Sequence, residues 1–332
     1  MDREQEEMQF LGLLGIYKES CKIILTWRKI FTQITLALIL PLSFIFLIHI
    51  EVSDLLADKL GATVDEMDET RIGSPTYNKL VQLASKEWTT YLIFKAIYLT
   101  FLLVFSLLST AAVVYTIACV YTGRPVEFRK VMSVVPRVWR RLMATFLSIF
   151  LAMVCYNMLA VMVLIFWAVC FGATNFAVAV FLLLLVAYFV GFVYMTIVWQ
   201  LACVVSVLEE DCGLKAMVKS RELIRGKIGV AVVIFFKLNT AFVLIELAFQ
   251  VLVVDGEQRR MADRIGYGAM CFLSLFILVL FGLVVQTVVY FVCKSYHHEN
   301  IDKSALSDHL EIYMGEYVPL KSKDVQLEQF HA

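Results

Sequence analysis

Charge is scarce in this sequence. Only 17% of its 332 residues are charged against 61% hydrophobic, the mean hydropathy is +0.79, and 29 basic side chains balance 29 acidic ones. So apolar a composition excludes an ordinary soluble domain and fits a chain that crosses a bilayer several times. Without a basic excess, nucleic acid is not an expected partner. The first 29 residues are charged throughout and lack an apolar region followed by a small-residue cleavage site, so no secretory signal peptide is expected. The first span then serves as its own signal.

Other absences narrow the chemistry. None of the eight cysteines falls between residues 51 and 90, the long loop of the oxidising side, which argues against a disulfide framework. There is no CxxC pair and no His/Cys cluster with zinc spacing, and His297, His298 and Glu299 read as solvated residues beside the membrane; no metal or cofactor is expected. A Ser/His/Asp arrangement, a Gly-rich phosphate loop, paired carboxylates and HExxH are all missing, so an enzyme is the least supported class.

What is present is a set of six apolar runs, each long enough to cross a hydrocarbon core about 30 Å thick: 30–50, 91–120, 142–171, 177–207, 228–254 and 266–293. The expected fold is an all-α polytopic membrane bundle with an amphipathic helix over 1–29, a six-span domain over 30–293 and a tail over 294–332. The stretch "FGATN" leaves room only for a tight hairpin, which makes spans three and four antiparallel neighbours. Lys and Arg number 20 on the side of the termini and 7 on the other, a positive-inside bias that places both termini in the cytosol. The acidic loop 51–90 then faces the lumen or exterior and reads as a short, partly helical cap. Pro41 is expected to kink the first span.

Two cytosolic loops have helical periodicity. Over 128–142, Phe128, Val131, Val135, Val138 and Leu142 share one face, while Arg129, Lys130, Arg137, Arg140 and Arg141 lie on the other. Pro136 is expected to kink this helix or divide it. In "EEDCGLKAMVKSRELIRGK", nine of nineteen residues are charged. There Gly213, Ala216, Met217, Ser220, Leu223 and Ile224 form an apolar face opposite Lys215, Lys219, Glu222 and Arg225. A third stripe, Phe10, Leu13, Leu14, Tyr17, Cys21 and Ile24, precedes the first span. Such helices lie in the headgroup plane, with Arg129, Lys130, Arg137, Arg140, Arg141, Lys215, Lys219 and Arg225 as candidate contacts for anionic lipid; the alternative is that the apolar stripes pack on neighbouring protein. Aligning "KVMSVVPRVWRR" with "KAMVKSRELIRG" pairs Lys130 with Lys215, Met132 with Met217 and Arg140 with Arg225, which points to an internal duplication.

Ionisable and amide groups inside spans are the default functional candidates. Lys237, Asn239, Gln200 and Gln286 fall in the cytosolic half and are expected to share a polar pocket, while Glu246 and Lys95 in the outer half are placed to pair. The competing reading is that the lysines snorkel and the others hold the bundle together by hydrogen bonds. In the tail, Ser304 and Gly315 bound a helix, and Tyr317 and Leu320 of "EYVPLK" fit the Yxx-apolar pattern that trafficking adaptors bind as an extended strand.

The stretch "VLEEDCGLKAMVKSRELIRGKIGVAVVIFF" and the tail "YHHENIDKSALSDHLEIYMGEYVPLKSKDVQLEQF" resemble a large plant family of uncharacterised six-span membrane proteins, and the resemblance covers nearly the whole chain. More distantly, an acidic residue after a span, then Gly, Ala and a "KSRELIRG"-like helix is similar to the membrane domain that accompanies some bacterial glycerophosphodiester phosphodiesterases. In those proteins catalysis belongs to a separate soluble domain that has no counterpart here. The resemblance therefore implies a membrane scaffold, not an esterase. The leading functional expectation is a non-enzymatic protein that organises lipid or recruits partners at the cytosolic leaflet. Its rival is a transporter or lipid translocator using the intramembrane polar pocket.

Overall fold

In hydrocarbon the backbone of an apolar stretch must satisfy its own hydrogen bonds, and a helix does so within one segment. The computed structural model, which describes residues 8–123, 126–171, 174–256 and 260–297, is accordingly all-α, with no strand among the described residues. A short helix α1 (Leu13–Thr26) precedes α2 (Arg28–Glu69), α3 (Pro75–Thr122), α4 (Phe128–Phe171) and α5 (Asn175–Leu208). A second short helix, α6 (Leu214–Leu223), leads into α7 (Ile228–Val254) and α8 (Met261–Tyr296). The six long helices are all apolar enough to cross a membrane, the make-up of an integral membrane protein.

The helices outrun the apolar runs that mark them. Residues 51–69 continue α2 without a break and residues 75–90 open α3, so the segment 51–90 is a helical hairpin and not a short cap. Nothing in "EVSDLLADKLGATVDEMDE" stops a helix; the chain turns only at 70–74, where Ser74 Oγ accepts the Tyr77 N–H (3.0 Å) and Pro75 starts α3. From Glu51 to Glu69 the arm is about 27 Å long. Thr63 Oγ1 donates to Glu87 Oε2 (2.8 Å) and ties its two halves together. Neither proline interrupts its long helix. The irregularity near Pro41 is a π turn over Thr35–Ile39, just before the proline, which absorbs the missing hydrogen bond. Pro136 lies inside α4 and does not divide it.

The packed core sits at the end of the bundle that carries the basic loops. Ala111–Cys119 in α3 and Leu201–Leu208 in α5 are buried on every side, two pillars enclosed by α2, α4, α6, α7 and α8. At the opposite end a smaller cluster of Leu47, Phe249, Val254, Cys271 and Leu275 joins α2, α7 and α8. There α4 and α5 form an antiparallel hairpin, with Trp167 Nε1 donating to Ala177 O (3.0 Å) and Tyr156 Oη to Tyr188 O (2.8 Å). Its outward face is Leu, Val, Ile and Phe, as a lipid-facing surface requires.

The proposed duplication has a structural counterpart in burial. At a separation of 85 residues, Val131 and Ala216, Val135 and Ser220, and Val138 and Leu223 are each buried, Met132 and Met217 are half-buried, and Arg140 and Arg225 are exposed. The two units then diverge. The first runs straight on as α4, whereas the second breaks at Gly226 (φ +88°) between α6 and α7.

Candidate functional site

The basic end is built outward from the pillars. Gly213, Ala216, Ser220, Leu223 and Ile224 of the α6 segment are buried, and Ser220 Oγ donates to Val198 O (2.9 Å). Lys215 and Arg225 point outward and Lys219 is half-buried. Along the start of α4, Val131, Val134, Val135, Val138 and Leu142 are at most 1% exposed. These apolar faces therefore enter the protein core, and neither helix lies in the headgroup plane with its apolar side in lipid. The physical reason is that a full-length apolar neighbour, α3 or α5, already stands beside each of them. What remains outside is polar: Arg129, Arg137 and Arg140 are exposed, and Lys130 and Arg141 half-buried.

α1 differs. Its apolar arc covers about 200° of the helix, more than one neighbour can take. Ile16, Ser20 and Ile23 enter the core and Tyr17 packs on Phe281, ring centroids 5.6 Å apart. Phe10, Leu14, Cys21 and Leu25 stay exposed, with Leu13 and Ile24 between.

A charged node ties these elements together. Glu209, the residue after α5, accepts hydrogen bonds from Tyr290 Oη (2.5 Å) and Lys294 Nζ (2.7 Å) of α8, and its main-chain oxygen accepts from an Arg141 guanidinium nitrogen (2.6 Å) of α4. Burial pushes the Glu209 carboxyl up, but the hydrogen bonds from Lys294 and Tyr290, and the charges of Lys294 and Lys219, outweigh it and hold the group below its ordinary value. Beside it, Thr145 Oγ1 shares a hydrogen bond with Ser206 Oγ (2.7 Å) and accepts the Gly213 N–H (2.8 Å). His297 Nε2 lies 3.0 Å from Leu223 O and 2.9 Å from Arg225 O, capping the end of α6. The acidic run before α6 is legible in sequence; that Glu209 reaches α8, 81 and 85 residues on, is not.

A basic hollow of about 510 Å³ opens where α1 meets α2, lined by Trp27, Arg28, Lys29 and Gln33 together with Val126, Glu127 and Phe128. Arg28 and Lys29 are exposed there.

Inside the spans the structure brings together three of the four expected residues. Gln200, Asn239 and Gln286 line one cleft of about 220 Å³ between α5, α7 and α8. Gln286 Nε2 donates to the Gln200 main-chain oxygen, and Asn239 Nδ2 to Phe235 O (2.9 Å). Lys237 is not in the cleft: two residues from Asn239, it is turned 200° around the helix and exposed on the other side. That angle is readable from the sequence. Lys95 does not pair with Glu246. Its Nζ lies 2.8 Å from His49 Nε2, and the His49 ring stacks on Tyr98 with centroids 3.5 Å apart. Glu246 is exposed. Tyr317 and Leu320 lie outside the described residues, as do His298 and Glu299. Among the described residues no group of three His, Cys, Asp or Glu side chains has metal-binding spacing, and all eight cysteines are free.

Neither a curated protein nor a solved structure matches the chain. The family model described as a domain of unknown function (DUF8558) matches residues 1–330, so the chain belongs to that family.

Proposed function

We propose that this is a non-enzymatic integral membrane protein of the endomembrane system or plasma membrane, whose basic end faces the cytosol and gathers anionic lipid headgroups. The observation that carries the reading is that α6 and the start of α4 bury their apolar faces in the core, so Arg129, Arg137, Arg140, Lys215 and Arg225 are held outward on a rigid frame. Each basic group near an anionic leaflet contributes about 1 kcal/mol. The hollow at Trp27, Arg28 and Lys29 and the exposed apolar side of α1 lie at the same end and extend this surface into the interface. A transporter reading has less support. The amide cleft ends at Phe242, Leu278 and Val279, and beyond them Phe242 and Val279 pack against the apolar cluster of α2, α7 and α8.

Replacing Arg129, Arg137, Arg140, Lys215 and Arg225 together by Gln in the full-length protein is expected to reduce retained phosphatidylserine and phosphoinositide at least tenfold at low salt, measured by mass spectrometry of lipid that copurifies. In 0.5 M salt the difference should shrink, because screening acts within a few ångströms. Equal retention by the variant, or retention no different from that of phosphatidylcholine, would sink the reading. An isolated 128–142 peptide is the wrong probe, since it offers lipid an apolar face that the folded protein keeps inside.

Orientation is a separate expected result. Tags at both termini should be reached by protease from the cytosolic side of sealed vesicles while the 51–90 hairpin is protected. Cleavage of the hairpin from that side would reverse the assignment.

A further inference from the structure

We infer that the cleft between α5, α7 and α8 is a binding site for an uncharged membrane lipid whose headgroup carries a hydroxyl. Its lining has no charged side chain; it is apolar apart from the carboxamides of Gln200, Asn239 and Gln286. Those amides are only partly occupied by the protein. The carbonyl oxygens of Asn239 and Gln286 and the whole Gln200 carboxamide have no protein partner among the described residues. Donors and acceptors side by side match a hydroxyl, which both gives and takes a hydrogen bond. A phosphate or carboxylate headgroup would bring its charge to a site without a counter-charge, at a large desolvation cost.

Depth and shape agree with this occupant. Gln286 lies about 15 Å from the end of α8 and Gln200 about 12 Å from the end of α5. α8 is 36 residues, about 54 Å, against a hydrocarbon core of about 30 Å, so sharing the excess between its ends leaves Gln286 just inside the hydrocarbon boundary. Neutral lipids place their hydroxyls at that level. The cleft volume of about 220 Å³ takes a headgroup and the first part of a hydrophobic body, with the rest left in the bilayer. Gly282 lines the cleft opposite Leu238, and a Cβ placed on it would lie 4.0 Å from Leu238 Cδ1.

The test uses purified full-length protein in vesicles containing a photoreactive diacylglycerol, a photoreactive sterol or a photoreactive phosphatidylcholine, with labelled peptides mapped by mass spectrometry. The expected result is labelling of peptides holding Gln200, Asn239 or Gln286 by one of the two hydroxyl lipids, at least fivefold above phosphatidylcholine; which one labels identifies the source. Ala231→Phe, which fills the cleft, and Asn239→Leu, which removes a hydrogen-bonding group from an exposed position, should each cut labelling at least threefold without a matching loss of thermal stability. The five-Gln variant of the basic surface should label as the wild type does, which separates this site from the anionic one. Labelling that equals phosphatidylcholine's, survives both cleft variants, or is absent for both hydroxyl lipids because the cleft holds only water, overturns the inference.

Discussion

Glu209→Gln is expected to destabilise the protein by about 2–4 kcal/mol, since removing one member of a mostly buried ion pair leaves the other without compensation. Lys294 would then keep its charge at a site only 18% exposed, with the Tyr290 ring 5.7 Å below it and no carboxylate to meet it. In detergent the thermal midpoint should fall by roughly 5–10 °C. The double variant Glu209→Gln, Lys294→Met should recover at least half of the loss, because the stranded charge is gone. The sign of the pH dependence follows from the depressed carboxyl. The stabilisation from Glu209 is complete above the ordinary carboxylate range, near pH 4–5, and is lost as pH falls through the lower folded-state value. Wild type and variant should therefore converge in acid. A single variant as stable as the wild type at pH 7 would show that the node contributes nothing.

Gly226→Ala should be nearly as damaging, for two separable reasons. The residue has φ +88°, a conformation that strains any side chain, and a Cβ there would run into the Tyr296 ring. Strain of this kind costs about 1–3 kcal/mol, and with the clash about 2–4 kcal/mol is expected, read as a loss of thermal stability. Gly123 supplies the control: its φ is +71° but nothing lies within 4 Å of a Cβ, so Gly123→Ala should show the strain alone. In a Tyr296→Ala background the Gly226→Ala penalty should shrink toward the Gly123 value. If both glycines respond alike in every background, the close approach of Tyr296 has no energetic weight.

Much of the site was legible before any tertiary contact was known, and the errors have physical causes. The buried face of α6 follows from 3.6-residue periodicity, and Gly213, Ala216, Ser220, Leu223 and Ile224 are buried as that period requires. Gln200, Asn239 and Gln286 meet because similar depths in neighbouring spans leave few other places for an amide to turn. Depth alone groups Lys237 with them, and depth ignores the angle around the helix. The Lys95–Glu246 pairing failed similarly: His49, at a comparable level on the adjacent helix of the same hairpin, reaches Lys95 first. Over 51–90 the weak apolar periodicity points to a short cap, yet helix continuation depends on the absence of stop signals, and none occurs before "RIGSP".

The sequence by itself determined that six apolar helices form, where the charge gathers along the chain and which faces of the short helices are apolar, because each of these is a local property of composition and period. Only the tertiary structure decided what those apolar faces touch. A stripe of Val131, Val135, Val138 and Leu142 has the same transfer free energy whether lipid or protein covers it, so nothing in its pattern distinguishes the two. Pillars α3 and α5, packed alongside it in the bundle, take that surface first, and the charges opposite it are left outside on a fixed frame.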